Sequence, residues 1–254
     1  MTYILILFLT YVLHLLLKLN WVCTAVVLVF LLVMQHFHRI KGQRFQEARK
    51  RFLDVSLYID TLLYSFLKEQ KIIRAFEDVK STLADGHMKE TVSRAIDHMM
   101  LTFDETEVFV DAMRIIEDEY KCNRIVNAHE FMAHAEYYGG DIKESARILL
   151  KDKSAWERRI LRNIEDRQRM FHQIILSVVT SVIISGIILY LPVLSMDISS
   201  NIIVQILSAA LIVLDDLIIL WGQKFLEVDY LGIDLLPEDD KHAKKLDEYK
   251  AYNP

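Results

Sequence analysis

The stretch DIKESARILLKDKSAWERRILRNIEDRQRMFHQIILSVVTSVIISGIILYLP, Asp141 to Pro192, decides the fold. It holds no Pro before its last residue, and its first half is rich in Ala, Leu, Glu, Lys and Arg, all good helix formers. The second half, Phe171–Leu191, contains no Asp, Glu, Lys or Arg. One helix is therefore expected to run from a charged segment into an apolar one of roughly the 20 residues that cross a bilayer. Movement of the charged part would then be carried mechanically into the membrane.

Composition agrees with that division. Apolar residues make up 53% of the chain and charged residues 26%, so membrane-like and water-like segments must be segregated. Four uncharged or nearly uncharged apolar runs occur, at Tyr3–Leu17, Trp21–Met34, Phe171–Leu191 and Ile202–Leu214. The last two reach spanning length with their flanking residues. Read as one helix, Tyr3–Met34 would measure roughly 48 Å, too long for a hydrocarbon core of about 30 Å, so a hairpin turning at Lys18-Leu19-Asn20-Trp21 fits better. Lys18 would snorkel to the headgroups and Trp21 suits the interfacial belt. No basic residue precedes the first run and no small-x-small site follows it, so a cleaved signal peptide is not expected.

Of the 30 Lys and Arg residues, 24 lie between His38 and Met170, and none lies in Val193–Ser200. Positive charge stays inside, which places the central region in the cytoplasm, the Val193–Ser200 link outside and both termini inside. The expected architecture is an all-α, multi-pass protein of the cell (inner) membrane with four transmembrane helices and a cytoplasmic antiparallel helical bundle. Its parts are an N-terminal transmembrane hairpin (1–37), a cytoplasmic helical domain (38–170), a C-terminal transmembrane hairpin (171–222) and an acidic cytoplasmic tail (223–254). The basic residues of the central domain cluster at its ends, where they can meet anionic headgroups of the lipid bilayer. Its middle, Phe52–Leu150, has 11 basic against 19 acidic residues and faces cytosol or a partner. Glu117, Asp118 and Glu119 are a possible partner surface there; a merely solvated helical surface fits the same pattern.

Helices are expected near 44–69, 72–84, 88–100, 104–121, 123–138 and 142–170. In the first, Phe45, Ala48, Phe52, Val55, Ile59, Leu62 and Phe66 follow a 3,4,3,4,3,4 spacing, a core-facing stripe of about three heptads. Asp104 and Glu107 read as a capping box. The chain has only seven glycines, yet two stand together at Gly139 and Gly140. Gly139 can end one helix in the left-handed conformation, and Asp141 with Glu144 forms the D-x-x-E cap of the next, making a tight reversal.

Chemistry-bearing motifs are few. His129-Glu130-Phe131-Met132-Ala133-His134 departs from H-E-x-x-H, because five residues turn a helix by about 500°, or 140° net, and the two imidazoles point to different faces. No P-loop, G-x-G-x-x-G or G-x-S-x-G occurs, so no catalytic residue, cofactor or metal is assigned and no enzyme activity is expected. No nucleic-acid partner is expected either. Cys23 and Cys122 fall in different segments and are not expected to pair.

The fourth apolar run carries Asp215-Asp216, carboxylates that would cost several kcal/mol facing lipid if ionised. Asn201, Gln205, Ser208 and Asp215 share one helix face, and Ser177, Ser181 and Ser185 lie four apart on the third run. Small and polar residues at such spacing let helices pack closely and hydrogen-bond, so intramembrane polar packing by Ser177, Ser181, Ser185, Gln205, Ser208, Asp215 and Asp216 is expected. The alternative is a proton or ion relay in a transporter or channel subunit, for which His14 is the available titratable partner in the membrane. A membrane-tethered adaptor would share every one of these physical features.

The run EFMAHAEYYGGDIKESARILLKDKSAWERRILRNIEDRQRMF, Glu130–Phe171, resembles the signature of the type II secretion system F-domain family, in particular the Tad (tight adherence) pilus platform proteins. There a Gly-Gly-polar turn opens a long basic helix leading into a span that ends in Pro, as Pro192 does here. The resemblance covers about residues 52–192. The chain departs from it at Lys68-Glu69-Gln70-Lys71, where the family has a Gly-containing turn, and in the additional segment Gln223–Pro254. What the resemblance implies is a non-enzymatic inner-membrane platform that joins a cytoplasmic secretion or pilus ATPase to pilin-like subunits. It also implies pairing with an identical or paralogous platform protein.

Overall fold

The computed structural model describes residues 2–101, 108–139, 142–191, 201–228 and 230–231. Among them every regular element is an α-helix: α1 (Thr2–Leu16), α2 (Trp21–Glu69), α3 (Ile72–Thr82), α4 (His87–Leu101), α5 (Val108–Tyr120), α6 (Asn123–Tyr138), α7 (Ile142–Leu189) and α8 (Ile202–Lys224). Helices α2, α7 and α8 are long and apolar enough to cross a membrane, whereas α1 has 15 residues and is shorter. In the most apolar 18-residue windows of α2, α7 and α8 only 11%, 6% and 22% of residues are buried. Apolar surface of that extent is not left to water by a soluble chain, and it marks this one as a membrane protein.

Two compact units divide the chain, the first formed from 1–47 with 162–228 and the second from 48–161 with 229–254. In the first unit, α1 and α2 are joined by a turn at Leu17–Asn20. The Asn20 side chain accepts a hydrogen bond from the Cys23 amide at 2.8 Å, capping α2. Leu13, Leu17, Leu19, Val27 and Ile212 form the apolar centre, with Leu31, Val182 and Ala209 packed on it. Lys18, in this turn, is half-buried. Its ammonium sits 4.2 Å from the centre of the Tyr190 ring, whose hydroxyl donates to the Leu15 carbonyl at 2.6 Å.

Close helix approach in this unit occurs at two glycines. A Cβ on Gly186 of α7 would stand 2.6 Å from the Leu16 side chain of α1, and one on Gly222 of α8 would stand 3.1 Å from Ile174 of α7. Ser177, expected among the packing residues, is exposed; Ser181 and Ser185 are half-buried. The reason is rotational, because Gly186 and Val182 turn toward the centre and leave Ser177 on the rim.

The second unit is a bundle of α3–α6 with the second half of α2 and the first part of α7. Of the seven expected stripe residues, Phe52, Val55, Ile59, Leu62 and Phe66 are buried here and Ala48 is half-buried, while Phe45, which belongs to the first unit, is buried as well. The buried face is wider than one stripe, since Tyr58, Leu63 and Ser65 are also enclosed. The separate helix expected from about residue 44 is instead the continuation of α2, unbroken from Trp21 because the stretch between Met34 and Arg44 holds no Pro and its one glycine, Gly42, costs too little to end the helix. Tyr230 and Leu231, at the start of the tail, are buried, with the Tyr230 ring 6.4 Å from that of Phe52.

Gly139 ends α6 with φ 67° and ψ −157°. This is not the left-handed helical conformation expected but a region open essentially to glycine alone. Gly140 and Asp141 of the same turn, and the expected Asp104–Glu107 capping box, lie outside the described residues. Glu144, assigned to that cap, forms a two-pronged contact with Arg147 at 2.6 and 2.9 Å. Gln70 and Lys121, which follow α2 and α5, take φ 52° and 46° without being glycine.

Candidate functional site

A polar seam runs along the inward face of α8 in the first unit. Gln205, Ser208, Ile212, Asp215 and Gly222 are its buried residues, spaced 3,4,3,7, as one face of a helix requires. Gln205 is 1% exposed and uses both ends of its amide: Oε1 accepts from the Asn20 amide at 2.7 Å and Nε2 donates to the Lys18 carbonyl at 2.8 Å. Its partner is thus the α1–α2 turn, not the serines of α7. An unpaired peptide group in hydrocarbon costs several kcal/mol, which is what this side chain prevents at a turn of the backbone. Asn201 accepts from the Ile203 amide at 3.1 Å and caps α8.

The carboxylates lie further along the same helix. Asp216 Oδ1 is 3.2 Å from His38 Nε2, and His38 Nδ1 is 3.0 Å from Gln223 Oε1. The imidazole thus bridges two positions of α8 that lie two turns apart. Asp215 is 8% exposed. His14, the expected titratable partner, does not serve the pair: its Nδ1 lies 2.9 Å from Thr24 Oγ1 and its ring stacks on Trp21 at 4.6 Å. Lys41 and Glu227 stand 4.0 Å apart nearby in sequence to His38 and Gln223.

The second unit holds two buried polar networks that periodicity did not disclose. Tyr58 and His129 are enclosed; the Tyr58 hydroxyl donates to His129 Nε2 at 2.6 Å, and His129 Nδ1 donates to Glu117 Oε1 at 2.7 Å. Burial pushes the His129 imidazole below its ordinary range, with Glu117 acting in the opposite direction, and burial drives the Tyr58 phenol well above its own. A neutral imidazole that donates at one nitrogen and accepts at the other satisfies both neighbours. Lys153, 2% exposed, is ion-paired with Asp60 and with Glu157, the latter at 2.7 Å. The i,i+4 spacing of Lys153 and Glu157 was the one local signal for this pair; Asp60 lies 93 residues away.

These networks redistribute the expected partner surface. Glu117 is taken by His129, and Glu119 contacts His87 at 2.6 Å while its carbonyl accepts from Arg51. Asp118 alone of the three is fully exposed. His134 stacks on Tyr138 at 4.9 Å on the exposed side of α6, so His129 and His134 do not converge. Cys122 is buried and Cys23 half-buried, and neither is bonded to the other.

Comparison with family models, with curated proteins and with solved structures returns no match for this chain.

Proposed function

We propose that the chain is a non-enzymatic, multi-pass platform of the inner membrane in a type IV pilus, Tad-like or type II secretion-like machine. It would couple a cytoplasmic ATPase to the assembly or secretion of pilin-like subunits. In this reading four spans place the second unit and both termini in the cytoplasm. The observation that carries it is helix α7, which continues without a break from Ile142 to Leu189. Residues 151–169 of that helix hold seven basic and four acidic side chains, and Phe171–Leu189 holds no Asp, Glu, Lys or Arg. Such a helix suits a part that carries movement from an engine in water to a subunit in lipid.

Capture of the cognate ATPase from detergent extract tests the reading. Asp118, Glu130 and Glu136 are exposed, so changing all three to Lys leaves the buried networks intact and should weaken capture at fixed salt. Equal capture would remove these positions from the interface; no capture by either form would count against the platform. Topology is tested at Glu136→Cys, because Cys122 is buried and unsuitable for labelling. A membrane-impermeant maleimide should leave that cysteine untouched in intact cells and label it after permeabilisation.

A second reading, a transporter or channel subunit, is favoured by the contact of His38 with Asp216. Replacing Asp215 and Asp216 by Asn separates the two. A platform still assembles its filament or secretes its substrate, whereas a transporter stays folded and loses activity.

A further inference from the structure

Helix α2 carries apolar side chains on the side turned away from the core of the second unit. Leu53, Leu57 and Tyr64 are 42%, 41% and 61% exposed, and at about 100° per residue they fall within about 40° of one another around the helix. Phe52, Val55, Ile59, Leu62 and Phe66, all buried, occupy the other side. Six basic residues, Arg39, Lys41, Arg44, Arg49, Lys50 and Arg51, stand between the apolar span of α2 and this stripe, so hydrocarbon does not cover it.

Charge narrows the occupant. The stripe lies between Lys50 and Lys68, both exposed, and Lys71 follows, also exposed. Lys68 contacts Glu69 at 2.8 Å, a surface pair of little strength. Asp54 and Asp60 flank the stripe and are half-buried, Asp60 in its ion pair with Lys153. A second copy laid along the stripe would bring Lys50 against Lys50 if parallel, or against Lys68 if antiparallel, like charges in either register. An acidic segment with apolar side chains matches instead.

This chain supplies one. Tyr230 and Leu231 are buried, with the Tyr230 ring 6.4 Å from that of Phe52, one residue before the stripe begins. Residues 232–240 lie outside the described residues and read Gly-Ile-Asp-Leu-Leu-Pro-Glu-Asp-Asp. From the level of Phe52 to that of Lys68 is about 24 Å along α2, and nine extended residues reach about 30 Å, enough to include the passage round the helix. Alternate side chains of an extended chain share a face, so Ile233, Leu235 and Pro237 can all turn to α2.

We propose that residues 232–240 dock on the outer face of α2 as a strap. Ile233 covers Leu53, Leu235 covers Leu57, Pro237 packs on the Tyr64 ring, and the acids Glu238, Asp239 and Asp240 meet Lys68 and Lys71. A partner that binds α2 on this side must first displace the strap.

The test uses the full chain in phosphatidylcholine nanodiscs, with Leu57→p-benzoylphenylalanine or Tyr64→p-benzoylphenylalanine. Both positions are exposed, so neither photoreactive probe loads the core. Ordinary and heavy-isotope chains are reconstituted together and irradiated, and peptide mass spectrometry assigns each adduct to the same chain or to another copy. Adducts from both probes should fall on residues 232–240 of the same chain. Replacing Glu238, Asp239 and Asp240 by Lys should lower their yield about fivefold, and added salt should lower the wild-type yield. Three results would each overturn the proposal: adducts joining ordinary to heavy chains, which make the stripe a contact between copies; adducts only on lipid or elsewhere in the chain; and a yield that charge reversal leaves unchanged. None of these readouts involves an ATPase or a filament, so the result stands apart from the platform reading.

Discussion

Tyr58 illustrates how much can rest on one hydroxyl. Its ring packs edge-on to Phe76 at 6.4 Å, a contact that phenylalanine would keep, while its oxygen answers His129 Nε2. Tyr58→Phe therefore isolates the hydrogen bond and leaves a buried nitrogen without a donor, at a cost of about 1–3 kcal/mol. The control is Tyr138→Phe, at a side chain 79% exposed, which should change stability by less than about 0.5 kcal/mol. Thermal unfolding of both variants in the same detergent checks the difference. If the two midpoints coincide, the Tyr58–His129 contact contributes nothing to stability. None of this was legible in the sequence: periodicity places His129 on α6, but its partners lie 71 and 12 residues away on other helices.

The helices themselves were far more legible than their partners, and the reason is the range over which each signal acts. Heptad spacing and turn residues are local, so α3, α4 and α6 begin and end within about two residues of expectation. The opposite side of a buried face is not local. Gln205 reaches the Lys18 carbonyl across 187 residues, and His38 reaches Asp216 across 178. Spacing tells which side of a helix is covered, not what covers it. Helix ends offer a paired prediction. Gly139 occupies a glycine-only region, so Gly139→Val should destabilise the bundle by about 1–3 kcal/mol even though a Cβ there meets nothing within 4 Å. Gln70 stands in the left-handed region, and Gln70→Gly should stabilise by about 0.5–1 kcal/mol, strain relief less the entropy of the freer chain. Chemical denaturation of the two variants should move in opposite directions; a shift of the same sign in both would show that backbone conformation is not what limits these turns.

At the scale of the whole molecule, stability should fall on mild acidification, and the sign follows from His129. Its folded pKa lies below the ordinary histidine value because burial disfavours the imidazolium. Below about pH 6.5 the unfolded chain therefore takes up a proton that the folded chain refuses, and stability is lost as pH drops from there toward the folded pKa. One such group can contribute at most about 1.4 kcal/mol per pH unit. Glu117 limits the effect, since its carboxylate would welcome the imidazolium, but desolvation is the larger influence. Replacing His129 by Gln keeps a donor and an acceptor without a titratable ring. Thermal midpoints of wild type and His129→Gln measured from pH 7.5 to 5.5 should therefore diverge in slope, the wild type falling more steeply. Parallel curves would mean that the buried imidazole accepts its proton as readily as it does in water, and that the Tyr58–His129–Glu117 network opens on protonation without a cost to the bundle.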